Sequence, residues 1–274
     1  MLFFQQIYAP FPLEEGLGEA SPAALRSLPF RGGPGRGFYL FGASGHGKVI
    51  KEIIEACGQE VEAFVDDNPA INELCGKKVL HGETALSPMI VSIGANHIRR
   101  AVVEKLRCEF GVAIHPSAVV SPSARIGEGT VIMAGAIVNA DAVIGRHCII
   151  NTGASVDHEC VISDYCHIAP HATLCGQVHV GEGTLIGVGA CVIPCIHIGS
   201  WCTIGAGAAV TKNIEDNMKE VGVPARALTK AVEGGVNSTY LALLQSRKGG
   251  LYGQHDIPRV FVGIRAVRTM QCCA

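Results

Sequence analysis

The residues with the clearest chemical potential are a histidine and a glutamate adjacent in the sequence, His158 and Glu159, which follow Asp157. An imidazole beside a carboxylate is the usual way to tune a general base near neutral pH, so the pair could take a proton from an acceptor group. A solvated polar turn is the alternative interpretation of the same three residues. No serine or cysteine nucleophile with a neighbouring base is apparent, which favours proton transfer over covalent catalysis.

Metal binding is a second chemistry to consider, because the chain has 11 histidines and 12 cysteines. The γ-type carbonic anhydrases, which hold zinc on a β-helix, have characteristic histidine spacings that no two histidines here reproduce. Two pairs with weak ligand spacing, His167 with His171 and Cys191 with Cys195, are better explained by structural roles. The sequence therefore predicts no metal site.

A glycine loop near the N-terminus could bind a phosphate. The apolar run FYLF at residues 38–41 precedes GASGHG, and KVIKEIIEACG then has the pattern of an amphipathic helix that ends at Gly58. The loop spacing GxxGxG differs from the dinucleotide fingerprint GxGxxG, so a structural turn and a phosphate cradle both stay open. Further apolar runs, VEAFVDD and MIVSIG, and a helix from about Asn96 to Phe110 predict a small parallel α/β sheet.

A six-residue repeat dominates the middle of the chain. From Ile114 to Val210 an aliphatic residue recurs at every sixth position without interruption, which gives 17 hexads. Neither a 3.6-residue helix nor a plain alternating strand has this period. Six residues form one short strand and one corner, and three such units form one coil of a parallel β-helix, so about 5.7 coils are predicted.

Small residues lie two positions before most of these aliphatic residues, and four of them are cysteines, at positions 148, 160, 166 and 202. We expect these cysteines to be packing residues inside the coils. Glycines directly after the aliphatic position, such as Gly127, Gly145 and Gly187, are expected to relieve backbone strain at the corners.

Composition excludes several classes of protein. There are 22 basic and 24 acidic residues, a net charge of −2 with no polarised half, which argues against a nucleic-acid-binding protein. No apolar run reaches the roughly 18 residues of a spanning helix, and the N-terminus does not resemble a signal peptide. Without an export signal, the many cysteines indicate a reduced, cytoplasmic protein rather than a disulfide framework.

These patterns predict an α/β Rossmann-like domain followed by an all-β domain. The expected boundaries are a flexible extension at residues 1–36, the Rossmann-like domain at 37–112, the β-helix at 113–213, a closing tail at 214–230, and a C-terminal extension of unknown role at 231–274.

Between about Phe38 and Leu228 the chain resembles the bacterial nucleotide-aminosugar N-acetyltransferases, which are related to the sialic-acid O-acetyltransferases. The motifs that carry the resemblance are, in order, GASGHG, VDD, SIGANHIR, HPSAVVSPSA, NTGASVDHECVISDYCHIAPHATLCG and VGVPAR. The resemblance implies a left-handed β-helix of the hexapeptide-repeat type, acetyl-CoA as co-substrate, a nucleotide-sugar acceptor, and a homotrimer that binds coenzyme A between adjacent prisms.

The resemblance also implies roles for individual residues. His158 matches the general base, and Glu159 matches the carboxylate that increases its basicity. The backbone amide of Gly176 would stabilise the oxyanion. The residues that match acetyl-CoA contacts are His167, Val188 and Ala206, although glycine is more usual at the last of these. The residues that match the nucleotide-sugar site are Ser44, Gly45, His46, Asp66, Asp67 and Gly94.

Three functions are considered, and the first two are implied by the resemblance. Direct acetyl transfer to the amine of a UDP-type 4-aminosugar is the first, and O-acetylation of sialic acid or a related sugar is the alternative. A non-catalytic scaffold in sugar modification is the third, which the presence of His158 and Glu159 argues against.

Overall fold

The structure is a computed structural model that describes residues 37–228. The extensions expected at 1–36 and 231–274, and the last two residues of the expected closing tail, lie outside the described residues. Within residues 37–228, no helix is long and apolar enough to cross a membrane.

The N-terminal domain is a small sheet that carries two helices. Its elements are β1 (Phe38–Phe41), α1 (Gly45–Ala56), β2 (Val61–Val65), β3 (Glu73–Leu74), β4 (Lys77–Leu80), β5 (Met89–Val91) and α2 (Asn96–Val103). The strand order is β3-β4-β2-β1-β5, and all pairs are parallel except β3 with β4. Buried residues of α1, Ile50 and Ile54, pack with Phe38 and Phe64 from the sheet. The predicted parallel α/β sheet is confirmed.

Helix α2 is shorter than the sequence predicted, because it ends at Val103 and not near Phe110. The N–H groups of Lys105 and Leu106 already donate three residues back, a tightening typical of a helix end. The chain then returns to the sheet, where Phe110 forms a parallel bridge with Met89. The backbone groups of this segment are thus satisfied by β5 rather than by more helix.

The second domain is a parallel β-helix whose two-residue strands follow the hexad register. In chain order they are β6 (Ala113–Ile114), β7 (Val119–Val120), β8 (Arg125–Ile126), β9 (Val131–Ile132), β10 (Ile137–Val138), β11 (Val143–Ile144), β12 (Ile149–Ile150), β13 (Ser155–Val156), β14 (Val161–Ile162), β15 (His167–Ile168), β16 (Thr173–Leu174), β17 (His179–Val180), β18 (Leu185–Ile186), β19 (Cys191–Val192), β20 (His197–Ile198), β21 (Thr203–Ile204) and β22 (Ala209–Val210). Each strand pairs in parallel with the strand 18 residues later, as in Ser155 with Thr173. The predicted repeat and register are confirmed.

These strands form the three faces of a prism. Sheet I contains β6, β9, β12, β15, β18 and β21, sheet II runs from β7 to β22, and sheet III runs from β8 to β20. We name the edges by the sheets they join: edge I–II, edge II–III and edge III–I. The aliphatic residues and the small residues beside them fill the interior, and the four cysteines at positions 148, 160, 166 and 202 are at most 1% exposed. Their predicted packing role is confirmed.

The role predicted for the corner glycines was wrong. Gly127, Gly145 and Gly187 do not adopt positive φ, and the positive-φ glycines lie two positions further on, as at Gly129 and Gly135. A Cβ on Gly127 would lie 2.6 Å from the backbone of Gly145 in the next coil, and one on Gly187 would lie 2.5 Å from the Ile204 carbonyl oxygen. The glycines after the aliphatic position are therefore required by the close stacking of successive coils.

The last coil is shortened and then folds back. Ile214 bridges to Ile198, a spacing of 16 residues in place of 18. Strand β23 (Lys219–Val221) continues sheet I next to β21, and β24 (Arg226–Ala227) pairs with β23 in antiparallel fashion. The segment expected to be an extended closing tail is thus a partial coil that ends in a hairpin.

The two domains share a core and a buried arginine. Apolar residues of sheet I, among them Val131 and Ile149, pack in one cluster with residues of the N-terminal sheet and α1. Arg99 of α2 is 1% exposed and donates to the carbonyl oxygens of His147 and Tyr165 at 2.8 Å, as well as to carbonyls at the end of β5. These contacts fix the N-terminal domain on sheet I and edge III–I.

Candidate active site

His158 and Glu159 lie in the turn after β13, on edge II–III, as the hexad register predicted. Both side chains are 54% exposed, and Nδ1 of His158 is 3.2 Å from Oε2 of Glu159. The Asp157 carboxylate accepts the backbone N–H of His158 at 2.8 Å and a hydrogen bond from Asn139 one coil earlier. The turn is therefore an ordered polar corner in which Nδ1 faces a carboxylate and Nε2 is left to act on a ligand.

Gly176 lies one coil above His158 on the same edge. A Cβ at this position would be 2.5 Å from Nε2 and 2.6 Å from Cε1 of His158, so only glycine leaves room for the imidazole. Among the described residues, the backbone N–H of Gly176 donates to no acceptor, whereas that of Gln177 donates to the His158 carbonyl. A free amide and a free imidazole nitrogen thus lie at the same surface, the arrangement that acyl transfer needs.

Two residues of this edge extend the His-Glu pair: Gln177, which sequence reasoning missed, and Cys195, which it assigned only a structural role. Nε2 of Gln177 donates to Oε2 of Glu159 at 3.0 Å, and Sγ of Cys195 donates to Oε1 of Gln177 at 3.3 Å. The hydrogen bond from Gln177, and then that with His158, lowers the pKa of Glu159 below its usual value. The three residues are 18 positions apart, so the coil period could have revealed the row that they form.

His167 is on sheet I, half-buried under the N-terminal domain. Its Nδ1 is 3.3 Å from the carbonyl oxygen of Gly94, and its Nε2 is 3.0 Å from Nδ2 of Asn151. Burial, followed by the charge of Arg99 and by His46, lowers the pKa of His167 to about 4. The ring is therefore neutral, donates from Nδ1, and joins the two domains. Its match to an acetyl-CoA contact stays a prediction.

The glycine loop has one glycine that packing does not require. Gly42 has φ +114°, and a Cβ on Gly47 would lie 2.5 Å from the carbonyl oxygen of Gly42, so the turn requires both. Gly45 at the start of α1 has no atom within 4 Å of the Cβ position. The N-terminus of α1 thus presents an open backbone surface, which is where a phosphate binds a helix.

Polar groups line this loop. The exposed Ser44 precedes α1, and the backbone N–H of Ala43 donates to Oδ2 of Asp66 at 2.7 Å. Nε2 of His46 is buried without a hydrogen-bond partner, and burial and Arg99 lower the pKa of His46 to about 4. Asp67 lines a separate pocket with Phe41, Glu83 and Lys105. Asp66 therefore orders the loop and is partly buried, whereas Asp67 is exposed.

Val188 and Ala206 lie on edge I–II, one coil apart, and both are exposed. The backbone N–H of Ala206 donates to no acceptor in the described chain. Edge I–II and the edge of His158 are opposite margins of sheet II, separated by six residues of chain and at most about 20 Å. Within one chain, the predicted site residues of the prism thus lie on sheet I, on edge I–II and on edge II–III.

Residues 37–228 contain no group of three or more His, Cys, Asp or Glu side chains that converges as a metal site. The pair His167 and His171 does not converge either, because His171 lies in the turn after β15. His179 and His197 on sheet III have ring centroids 4.3 Å apart, with the ring planes tilted by 31°, and no third ligand from the described part of the chain joins them.

Comparison with known proteins relates both domains to acetyltransferases. The PglD N-terminal domain family matches residues 38–106. A curated relative, UDP-N-acetylbacillosamine N-acetyltransferase of Bacillus subtilis (strain 168), is 47% identical over 103 residues, which cover 33% of this chain and 48% of the relative. The match thus spans about half the length of that relative.

Solved structures match over a larger part of the chain. A variant of perosamine N-acetyltransferase from Caulobacter crescentus, in complex with CoA and GDP-perosamine, is 37% identical with a TM-score of 0.65, covering 74% of this chain and 100% of that chain. The acetyltransferase domain of PglB from Neisseria gonorrhoeae FA1090 is 39% identical with a TM-score of 0.66, covering 70% of this chain and 100% of that one. These similarities include both the small α/β domain and the prism.

Proposed function

The chain belongs to the nucleotide-aminosugar N-acetyltransferases of the hexapeptide-repeat, left-handed β-helix type, and on this basis we propose that it transfers acetyl from acetyl-CoA to the amine of a nucleotide-linked aminosugar. The observation that carries the proposal is the corner at His158. There an imidazole oriented by a carboxylate lies against a glycine whose backbone amide is unpaired.

Transfer is direct in this proposal. Nε2 of His158 takes a proton from the sugar amine as the amine nitrogen attacks the thioester carbonyl, and the carbonyl becomes a tetrahedral oxyanion. The Gly176 N–H donates to that oxyanion. The C–S bond then breaks, coenzyme A leaves as its thiolate and takes up the proton that His158 holds, and the acetamide is released with His158 neutral again. Glu159 accepts from Nδ1–H throughout and balances the charge that the imidazole gains.

The working site is proposed to lie between two protomers of a homotrimer. Val188 and Ala206 are on edge I–II, whereas His158 is on edge II–III, so a groove between adjacent prisms can pair the acetyl-CoA contacts of one protomer with the base of its neighbour. Two neighbouring apolar side chains on sheet II, Val119 at 64% exposure and Ile137 at 38%, supply surface that such packing would cover.

The glycine loop is proposed to bind the diphosphate of the sugar nucleotide. Gly45 is open at a helix N-terminus, next to the exposed Ser44, and Nε2 of His46 in the first turn of the same helix is buried without a hydrogen-bond partner. In this proposal Asp67 contacts the base or ribose and Asp66 orders the loop. Gly94, whose carbonyl oxygen is 3.3 Å from Nδ1 of His167, is a further contact. We propose a UDP-type nucleotide and a 4-amino group, in a reducing cytoplasmic setting.

O-acetylation of a sialic-acid-like sugar is the second candidate, because the same base could deprotonate a hydroxyl group. The two differ in pH dependence. An amine is largely protonated near neutral pH, so the rate of N-acetylation rises as the amine deprotonates, whereas an alcohol shows no such rise.

The test is release of free coenzyme A from acetyl-CoA with a panel of UDP-, GDP- and dTDP-linked 4-aminosugars and free sialic acid, with a blank that lacks acceptor because the protein itself contains thiols. Release that depends on one aminosugar nucleotide is expected. Release with sialic acid alone would replace the proposal by O-acetylation, and no release with any acceptor would favour the scaffold.

The division of labour between the domains has its own test. Asp67→Ala should raise KM for the sugar nucleotide several-fold and leave KM for acetyl-CoA nearly unchanged. Equal changes in both constants would contradict the placement of the nucleotide in the N-terminal domain.

A further inference from the structure

Edge II–III carries a row of side chains that the proposed reaction does not yet use. Glu159, Gln177 and Cys195 follow one another at 18-residue intervals, and each bonds to the one before it. We name these three residues the edge row. Together with His158 it forms a continuous chain of four side chains from the imidazole to an exposed thiol.

The donor and acceptor pattern of the edge row has one consistent direction. The Cys195 thiol has a proton to donate, and it donates to Oε1 of Gln177. This turns the amide nitrogen of Gln177 toward Glu159, where it donates to Oε2. If the Gln177 amide were flipped, its Oε1 would face Oε2 of Glu159, and the hydrogen bond between the two side chains would be lost. Since the same Oε2 faces Nδ1 of His158, the carboxylate is held from two sides.

Backbone conformation gives a second, independent observation. Glu159, Gln177 and Cys195 have φ of 56°, 60° and 61°, in the left-handed region where side chains are disfavoured. At the equivalent turn position, edges I–II and III–I have glycine in several coils, as at Gly153, Gly183 and Gly207, and a side chain in others, as at His147 and Trp201. The strain is roughly 1–2 kcal/mol for a residue with a Cβ. On edge II–III, by contrast, four consecutive coils have a side chain at this position, because Asp141, with φ 60°, precedes the edge row. The edge that holds the proposed base therefore keeps side chains where glycine would be less strained.

We propose that Gln177, itself oriented by Cys195, is a positioning residue for the general base. It fixes the Glu159 carboxylate so that Nδ1 of His158 keeps its proton and Nε2 stays free to accept one from the substrate. This inference rests on the proposed function for its catalytic consequence, but the imidazole tautomer that it predicts is a property of the protein alone.

The decisive variant is Gln177→Gly. Glycine suits φ 60°, so the variant should fold at least as stably as the wild type while it loses the amide. We expect kcat to fall about tenfold, the usual consequence of losing one hydrogen bond to a charged group, with KM for acetyl-CoA unchanged. Asn217→Gly is the matched control, because Asn217 is exposed, has φ 60° and lies on edge III–I, and it should keep wild-type kcat.

Cys195 allows a graded test. Cys195→Ser keeps a hydroxyl donor for Oε1 of Gln177 and should retain most of kcat, whereas Cys195→Ala removes the donor and should lose about threefold. If Ser and Ala behave alike, or if Gln177→Gly keeps full kcat, the edge row does not position the base.

The tautomer is read without any substrate. Two-bond proton–nitrogen spectra of protein labelled with ¹⁵N-histidine, with the His158 signal assigned from the His158→Gln spectrum, should show the proton on Nδ1 at alkaline pH in the wild type. In Gln177→Gly the population with the proton on Nε2 should increase. An unchanged tautomer would overturn the inference even if no acceptor is found, and a shifted tautomer in an enzyme without acetyltransferase activity would support it while the proposed function fails.

Discussion

Gly176→Ala is the substitution whose effect can be worked most directly from the structure. The added Cβ would lie 2.5 Å from Nε2 of His158, whereas ordinary van der Waals contact begins at 3.4 Å, so the imidazole must move by about 1 Å. A displacement of that size at a reacting group can reduce the rate about 100-fold, or roughly 2.7 kcal/mol of transition-state stabilisation. The Gly176 N–H is kept, so the variant separates the position of the base from the oxyanion contact.

Stability should hardly change in this variant. The atoms that the new Cβ meets belong to the tip of a half-exposed side chain that can rotate away, and Gly176 does not have positive φ. Gly135→Ala is the matched control, because its Cβ meets nothing within 4 Å but its φ is +67°. We expect Gly135→Ala to lose about 1 kcal/mol of stability and keep its activity, the opposite of Gly176→Ala.

The assay is steady-state coenzyme A release with the accepted aminosugar, alongside thermal unfolding of both variants. The predicted result is a kcat for Gly176→Ala about 100-fold below wild type, with KM for acetyl-CoA and the melting temperature nearly unchanged. A kcat within about threefold of wild type would refute the reasoning, since the imidazole could then work from a position other than the one in the structure.

Three further predictions concern stability. Arg99→Met should lower the free energy of unfolding by about 4 kcal/mol, because buried carbonyls of both domains lose their donor. Urea titration checks this, and Arg107→Met, at an exposed arginine, is the control. A loss of unfolding free energy below about 1 kcal/mol would contradict the prediction. Burial, and then the charges of Arg146 and Arg99, lower the pKa of His147 from 6.5 to about 4. Between these pH values the unfolded chain binds more protons than the folded one, so stability falls as the pH drops through that range. The melting temperature of His147→Phe should therefore change less than that of the wild type between pH 6.5 and 4, and an equal change in both proteins would exclude His147 as a cause. Gly127→Ala should lower the free energy of unfolding by about 2–3 kcal/mol, because its Cβ would meet the backbone of the next coil. If Gly127→Ala were as stable as Gly135→Ala, the stacking role of Gly127 would be refuted.

The prism was predictable because its interior depends on a local period. The aliphatic residue of each hexad needs only its place in the repeat to be buried, and Ile150, Ile168 and Ile186 are all fully buried one above the other. The same register also predicts that His158 and Glu159 lie in a turn, as they do. It could also have predicted the edge row, since the 18-residue interval between Glu159 and Gln177 follows from three hexads per coil.

Features that depend on how the domains dock could not be predicted. Nothing in the sequence distinguishes Arg99 from an ordinary exposed arginine of a helix. Its burial follows only from the contact of α2 with edge III–I. His167 has the same hexad position as exposed Thr173, yet the N-terminal domain covers it. The end of α2 was also missed, because the pairing of residues 109–111 with β5 overrides helical preference.

The role of the glycines shows a different limit. Sequence alone does not distinguish a glycine required for positive φ from a glycine required because a neighbouring coil leaves no room for a Cβ. Gly127 and Gly129 are two residues apart, and the first is required by the neighbouring coil while the second has φ +70°. Only the stacking distance between coils distinguishes them.

The central claim is that His158 is the base that activates a sugar amine for attack on acetyl-CoA. The most direct measurement is mass spectrometry of the sugar nucleotide after incubation with acetyl-CoA and either the wild type or His158→Ala, at equal protein and with acetyl-CoA binding confirmed by calorimetry. The account predicts an aminosugar nucleotide that gains one acetyl group with the wild type and almost none with His158→Ala, although both bind acetyl-CoA equally. Equal acetylation by the two proteins would contradict it.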